Sequence, residues 1–516
     1  MVGSKISNQK MLDRKIVTKK LGNYHFLQRP YHPKLQAKMR KTIKLLREGA
    51  DPESYDAADV LDPRTLYILN ERPERFREHT LARPNLPRRG VLGEKRALVL
   101  LVDFNDKPAK TESQHFRELL FNENSQTNGS LRDYYREVSW GQLDVTGEVS
   151  EWYRSKEDLS YYADNMSGKG FYPKNSQKLV EDLVKTVEKN GDFEFPSYDN
   201  NGDGVIEMLV VIHAGEGAER TGSTMDIASH QSMTHDPVNI GGVKVVNYCI
   251  LPELPPYDLG GFCHEFGHLL GLPDLYDMSR VSPGIGDWCL MGLGSWNNDG
   301  KTPAHLSAWC KVELGWTVPT NVTGSPKKMK IPEVYDGSRS IYRLWTNGLK
   351  GEEYFLIENR RKKGFDKYIP GEGLLIWHVD ETSIYNSYPN MYPTNFRVAL
   401  EQADGERQLE KAKDDGGNKG DPGDVFPGEL NIRTFDSNSN PSSLAYDGSE
   451  SCITITSISD PGDEMTALIG VSCGGVKIES LKESKAETIE CMDVYKSGYK
   501  SGYCDGFMEG LDHKKL

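Results

Sequence analysis

No stretch of this 516-residue chain approaches the roughly 18 consecutive apolar residues that cross a bilayer. A membrane span is therefore excluded. None of the eight cysteines stands in a Cys-x-x-Cys pair, which removes the common thiolate zinc site. They fall instead in sequence-adjacent couples: Cys249 with Cys263, Cys289 with Cys310, Cys452 with Cys473, and Cys491 with Cys504. An even count permits disulfides but says little about redox compartment at this length, so buried thiols with some bridges are expected. Met1 to Lys20 is polar and basic and lacks the apolar core of an export signal.

What is present describes a water-soluble globular protein, with 37% hydrophobic and 27% charged residues and a mean hydropathy of -0.60. The length is too great for one ordinary core, so two to four structural units are expected. The net charge of -13 is unevenly spread: residues 1–90 carry 20 Lys and Arg against 10 Asp and Glu, leaving 43 against 66 for the rest. A basic leader on an acidic body suits either an anionic partner or a segment that folds back on its own chain. Leu35, Met39, Ile43 and Leu46 recur at helical spacing, which favours the second reading over a tail for nucleic acid or membrane, so no nucleic-acid partner is expected.

The dibasic Arg88-Arg89 followed by Gly90 marks a boundary near residue 90. Beyond it, Ala97–Phe104 and Met208–His213 are continuous apolar runs expected to be buried strands, and Gln142–Val149 alternates like a strand. Leu131–Val138 and the set Leu179, Leu183, Val187 have helical spacing. The absence of a steady β-α-β rhythm predicts an α+β fold. After Trp316 the pattern changes to short strands: Tyr354–Glu358, Leu374–Val379, Arg397–Leu400, Ile453–Ile458 and Thr466–Val471. These predict a β-sandwich-like module. The expected units are therefore a leader at 1–90, a catalytic domain at 91–322, a β-rich module at 323–474 and a tail at 475–516. That tail repeats Tyr495-Lys-Ser-Gly with a period of four, suiting a helix-packing face or a solvated segment.

The chemistry is concentrated in His264-Glu265-Phe-Gly-His268. A spacing of four puts both imidazoles on one helix face, where they can chelate one ion while Glu265 addresses its water. The five-residue pattern alone would arise in roughly 2% of chains with this histidine content, so its context decides. Gly271 can end the helix in a left-handed conformation, and Pro273 turns the chain back. Asp274 then stands where an extended motif places its third ligand, leaving one position open for water. Asp287-Trp-Cys-Leu-Met291-Gly292 is a compact turn of Met-turn type, with Met291 expected to support the ligands by packing. The bland alternative is a pair of hydrogen-bonded core histidines. Glu265, Gly271, Asp274 and Met291 in register weigh against it. Tyr276 is a candidate for oxyanion support, with core packing as its alternative.

These motifs resemble the immune inhibitor A family of bacterial metallopeptidases, which is related to the metzincins. The resemblance is strongest from His264 to Asp277. It continues through Gly286–Gly292, Gly294-Ser-Trp296, Leu314-Gly-Trp316, Val102-Asp-Phe104, Tyr134-Tyr135, Val138-Ser139 and Tyr198–Gly204. It implies a metzincin-like domain with a twisted mixed sheet and an active-site helix. It also implies zinc on His264, His268 and Asp274, Glu265 as general base, and a secreted endopeptidase of broad specificity made with a pro-segment and acting on protein or peptide substrates. Residues 1–90 hold no cysteine, so a thiolate latch is excluded. A carboxylate or His25, His32 or His79 is the expected blocking group.

Calcium is a second candidate cofactor. Asp199, Asn201 and Asp203 begin a calcium-type loop with Glu207 available, but its twelfth position is Val210. A plain Asx-rich turn is the alternative. Asp421 and Asp424, preceded by Asp414-Asp415, form a second oxygen-rich loop for which the resemblance makes calcium the expectation, a solvated acidic turn being the alternative. Two competing functions stay open: hydrolysis of a non-peptide ester or amide, and calcium-stabilised adhesion with a vestigial zinc helix. An intact Glu265 argues against the latter.

Overall fold

The computed structural model describes His32 and residues 91–123, 128–277, 282–383 and 396–473. The expected leader helix, the residue-90 boundary, the tail repeat, and Cys491 with Cys504 fall outside the described residues.

The first half is built on a six-stranded sheet. All of the apolar run at 97–104 except Phe104 lies in strand β1 (Gly93–Asp103), whose last seven residues are all buried. It pairs in parallel with β2 (Leu143–Arg154) and, on its other side, with β4 (Leu209–Glu216). Short β3 (Val205–Ile206) and long β6 (Val243–Leu254) complete the parallel set, in the order β2-β1-β4-β6-β3. Strand β5 (His230–Ile240) joins β6 antiparallel, so the sheet is mixed, as expected. The β5–β6 hairpin is not evident in the sequence. Its polar Gln231, Ser232 and Thr234 and its internal Pro237 hide it, and the register breaks between Met233 and Val238. A strand paired on only one side tolerates both proline and bulge.

A sheet of parallel neighbours must be covered on both faces, which explains its unbroken apolar runs. Alternation along β1 divides the cover: Ala97, Val99 and Leu101 enter one core, and Leu98, Leu100 and Val102 the other. The first core takes helices α1 (Ser113–Phe121) and α2 (Leu131–Val138), the latter begun by a capping box between Ser130 and Asp133. The opposite core takes α3 (Ser176–Asn190), capped by the Asn175 side chain and stopped by left-handed Gly191. Helix α4 (Leu259–Leu269) lies on the first face through Phe262, Cys263 and Phe266, and α5 (Ala308–Glu313) follows it.

The second half holds two antiparallel-rich sheets. Strands β7 (Thr320–Asn321), β8 (Gly324–Pro332), β9 (Tyr342–Trp345), β10 (Glu353–Arg360), β11 (Gly373–Asp380), β12 (Val398–Leu400), β13 (Ile453–Thr456) and β14 (Glu464–Val471) divide as β12-β11-β10-β9-β7 and β13-β14-β8. Phe355, Ile357, Leu374 and Ile376 of the larger sheet share a core with Ile331, Ile455 and Ile469 of the smaller. The other face of the larger sheet, through Tyr354, Leu356, Leu375 and Trp377, shares the core of Tyr134, Trp288 and Trp309. The two halves thus bury one continuous apolar body. The mixture of helices and several sheets accords with an α+β chain.

A fully buried ion network sits in that junction. Arg360 donates to Asp366 through two nitrogens at 2.5 Å and lies 3.2 Å from Glu358, while Lys311 of α5 reaches Glu358 at 3.3 Å. Trp377 Nε1 donates to Glu358 at 2.9 Å. Burial opposes ionisation of Asp366, yet Arg360 and His305 hold its carboxyl down at about 2. Cys452 and Cys473 form a disulfide, whereas Cys249, Cys263, Cys289 and Cys310 are buried and not disulfide-bonded.

Candidate metal centre

Helix α4 begins at Asp258, whose side chain accepts from the Gly261 N–H at 3.2 Å and is paired with Arg220 at 3.1 Å. Gly260 lets the helix approach the chain at Ser295, because an added Cβ would lie 2.0 Å from that carbonyl oxygen. At the far end Gly271 adopts φ +100°, and the Leu272 N–H reaches back to the Gly267 carbonyl at 3.0 Å. The reversal expected at Gly271 is therefore present, and it brings Asp274 to the histidines.

His264, Glu265 and Asp274 are fully buried and His268 is 2% exposed. The two imidazole Nε2 atoms are 3.2 Å apart, and Asp274 Oδ1 lies 3.1 Å from that of His264 and 3.3 Å from that of His268. Each Nδ1 faces a carbonyl oxygen, Leu290 at 2.9 Å for His264 and Leu272 at 2.7 Å for His268. A carbonyl only accepts, so both Nδ1 atoms carry the proton and each neutral ring presents a bare Nε2. Burial drives His264 toward that neutral form. Burial opposes charge on His268 too, but Asp274 and Glu265 raise its pKa.

Two lone pairs and a carboxylate oxygen thus converge, and Asp274 Oδ2 is buried without a hydrogen-bond partner. Proton sharing cannot satisfy this arrangement when both rings are neutral. A divalent cation can, and two imidazoles with one carboxylate suit zinc. His264, His268 and Asp274 would hold it.

The turn at 286–292 lies under these ligands. A Cβ added at Gly267, between the histidines, would meet Met291 Sδ at 2.8 Å, and the Leu275 N–H donates to the Met291 carbonyl at 2.8 Å. Met291 is fully buried. Tyr135 OH donates to the Cys263 carbonyl at 2.7 Å, tying α2 to the helix. Tyr276 is buried, with its ring 6.5 Å from that of His264.

The other sequence candidates divide. Asp199, Asp203 and Glu207 come together, but Asp199 already accepts from the N–H groups of Gly202, Asp203 and Gly204, while Asn201 bonds to Asp203. These are the hydrogen bonds of an Asx turn. Asp421 and Asp424 are joined by Asp404, not by Asp414 or Asp415, which sit in a separate turn. His32 does not enter the metal cluster. Its N–H donates to the Glu219 carbonyl at 2.7 Å, and its ring meets Trp296 edge-on and Asp299 at 3.5 Å. His25 and His79 lie outside the described residues. The Leu290 and Leu272 carbonyls had no signal in the sequence, because any residue supplies one. Asp404 was hidden by its separation from Asp421.

A sequence profile described as "Immune inhibitor A peptidase M6, catalytic domain" matches residues 85–317, which include the whole centre. Residues 85–317 belong to the immune inhibitor A peptidase family. The chain is also similar to "Pre-pro-metalloprotease PrtV" of Vibrio cholerae, 30% identical over 277 residues, covering 43% of the chain and 30% of that protein. "Immune inhibitor A" of Bacillus thuringiensis subsp. alesti is 30% identical over 272 residues, covering 42% of the chain and 39% of that protein. The chain therefore spans well under half the length of the relatives it matches.

Proposed function

We propose that the chain is a zinc-dependent endopeptidase that hydrolyses peptide bonds of protein substrates, with Glu265 as general base. The observation that carries this reading is the convergence of two Nε2 atoms, each deprotonated by the demand of a carbonyl on its Nδ1, upon one oxygen of Asp274. The metallopeptidase family of residues 85–317 supports it. So does the word metalloprotease in the name of one relative.

Zinc, when bound, supplies Lewis acidity that polarises the scissile carbonyl and acidifies water. Glu265 follows His264 on the same helix, and its charge is felt by His268. It takes the proton from the attacking water and delivers it to the leaving amine. Leu290 and Leu272 fix the ring tautomers, and Met291 fixes the helix segment between the rings. Because a carboxylate ligand makes the ion less positive than three neutral imidazoles would, activity is expected at neutral to mildly alkaline pH.

The mixed sheet covered by α4 supports a metzincin-like first half, and the shared core of the two smaller sheets supports a sandwich-like second half. No helix among the described residues is long and apolar enough to cross a membrane. The resemblance to a family of secreted peptidases supports an extracellular site of action.

The test is metal analysis and casein hydrolysis of the protein beside Glu265→Gln. Both should carry about one zinc per chain at the centre, and only the unaltered protein should cut casein, in a chelator-sensitive manner. Undiminished proteolysis by Glu265→Gln would overturn the assignment. Esterase activity without proteolysis would favour the non-peptide alternative.

A further inference from the structure

We propose that His305 is a positioning residue for the candidate metal centre, acting on the His264 ring through the backbone of Leu290. Its effect on the ion rests on the zinc reading above, whereas the link between the two histidines does not. Leu290 is gripped at both of its backbone polar groups. Its carbonyl accepts from His264 Nδ1 at 2.9 Å, and its N–H donates to the His305 carbonyl at 3.2 Å. Where residue 305 stands therefore helps to set the direction of the carbonyl that orients His264.

Residues 303–307 form a buried segment that belongs to no helix or sheet. Buried backbone groups outside a ladder must be paired elsewhere, and these are paired with the turn and with distant elements. The Ala304 N–H donates to the Gly294 carbonyl at 3.0 Å and the Ser307 N–H to Cys289 Sγ at 3.3 Å, so the segment runs alongside the turn. Tyr134 OH of α2 donates to the Ala304 carbonyl at 2.8 Å. The His305 N–H donates to Asp366 Oδ1 at 2.9 Å, and Asp366 is itself locked by Arg360. The turn has a separate tie to the second half, because Trp288 Nε1 donates to Asp424 Oδ2 at 2.8 Å.

The ring of His305 adds a tie that its backbone cannot make. It is 1% exposed, and its Nε2 donates to Glu137 Oε1 at 2.8 Å, in the last turn of α2. That same oxygen accepts from the Phe365 N–H at 2.8 Å, so three segments distant in sequence meet on one carboxylate. A carboxylate only accepts, which places the ring proton on Nε2. His305 Nδ1 has no hydrogen-bond partner and stands 3.9 Å from Asp366 Oδ2, and the Tyr335 ring packs at 4.9 Å. Without the Nε2–H, residue 305 keeps its bond to Asp366 but loses its own hold on α2. The loss matters because α2 also fixes the other side of His264, through the bond from Tyr135 OH to the carbonyl of Cys263, the preceding residue. One helix thus holds both the backbone that carries the His264 ring and, by way of His305 and Leu290, the acceptor that orients it.

The test uses the full chain in a Glu265→Gln background, which prevents self-cleavage. It compares His305→Phe, which keeps a ring but loses the donor, with His305→Gln, whose amide can still donate to Glu137. His378→Gln, at a buried histidine of the second half, controls for lost stability alone. Hydrogen exchange of the Leu290 amide is followed in the metal-free protein. Release of zinc to a chelator and the absorption spectrum of the cobalt-substituted protein are followed beside it. In His305→Phe the Leu290 amide should exchange and zinc should leave about tenfold faster, with a shifted cobalt band, while His305→Gln stays within about threefold of the background on both rates. His378→Gln should match the background. Glu137 is only partly buried, so Glu137→Leu removes the same bond where His305→Phe fails to fold, and the same changes are expected of it. Unchanged exchange at Leu290 overturns the link. Faster exchange with unaltered zinc release and cobalt spectrum overturns the positioning role, as do equal changes in His378→Gln. A background protein that binds no zinc removes the peptidase reading, and exchange at Leu290 then decides by itself whether the two histidines are linked.

Discussion

His264 Nδ1 donates to the Leu290 carbonyl at 2.9 Å, so the turn that carries Met291 also sets the tautomer of a ring in the candidate metal centre. Partners behind the ligands commonly change metal affinity ten- to a hundredfold when disturbed. Gly267 offers a way to disturb this one without touching a ligand, because a Cβ there would meet Met291 Sδ at 2.8 Å. Gly267→Ala gains about 1 kcal/mol of helix propensity, which offsets much of the cost of moving the thioether. Global stability should therefore change by less than about 1.5 kcal/mol while zinc affinity falls about tenfold. Chelator competition checks the second figure, and equal zinc affinity in the two proteins would show that Met291 does not position the centre.

The junction network predicts a larger effect on stability. Arg360 is fully buried between Glu358 and Asp366 and also donates to the Trp288 carbonyl at 3.4 Å. Removing one member of a buried ion network leaves its partners uncompensated and costs about 3–5 kcal/mol. Arg360→Met should lower the urea midpoint accordingly. Because Trp288 loses a contact as well, zinc should dissociate faster. A loss below about 1 kcal/mol would mean that water enters the junction and compensates Asp366.

Much of this was legible because periodicity and backbone chemistry are local. Leu131–Val138 forms a helix over the expected residues, and the runs at 97–104 and 208–213 lie in β1 and β4 apart from Phe104 and Met208. The grouping of His264, His268 and Asp274 followed from helical spacing plus a glycine able to take positive φ. What stayed hidden depends on contacts between distant residues. The β5–β6 hairpin stabilises polar residues by pairing, Asp404 reaches its cluster from another loop, and Leu290 acts through a carbonyl that every residue possesses. Nor could alternation reveal that the two faces of β10 serve different cores, since both read as apolar.

His378 gives the second half a pH dependence. Its ring donates to Glu353 at 2.7 Å and Glu401 at 2.9 Å, and lies between Phe355 at 4.1 Å and Tyr446 at 4.0 Å, with Glu410 also within electrostatic reach. Burial opposes its charge, but the two carboxylates outweigh burial and raise its pKa above the ordinary histidine value. The stability gained from the imidazolium is thus complete below about pH 6.5, the unfolded value, and is lost as pH rises through the higher folded value. The stability advantage of the unaltered protein over His378→Gln should shrink between pH 6 and pH 9 in thermal unfolding. An advantage constant across that range would assign the ring a packing role alone.

The peptidase profile ends at residue 317, but the core does not. Trp288 and Trp309 share their apolar cluster with Tyr354, Leu356, Leu375 and Trp377 from β10 and β11, and Lys311 is paired with Glu358 across the same boundary. Cutting the chain at residue 322 would expose this apolar face, strand a buried lysine, and strip Arg360 and Asp424 from Trp288. An exposed patch of that kind drives association, and an unpaired buried charge adds several kcal/mol to the cost. A fragment of residues 91–322 should therefore accumulate as insoluble protein, and co-expression with residues 323–473 should restore at least part of it to solution. Recovery of the shorter fragment as a monodisperse, zinc-binding monomer would show instead that the first half folds independently.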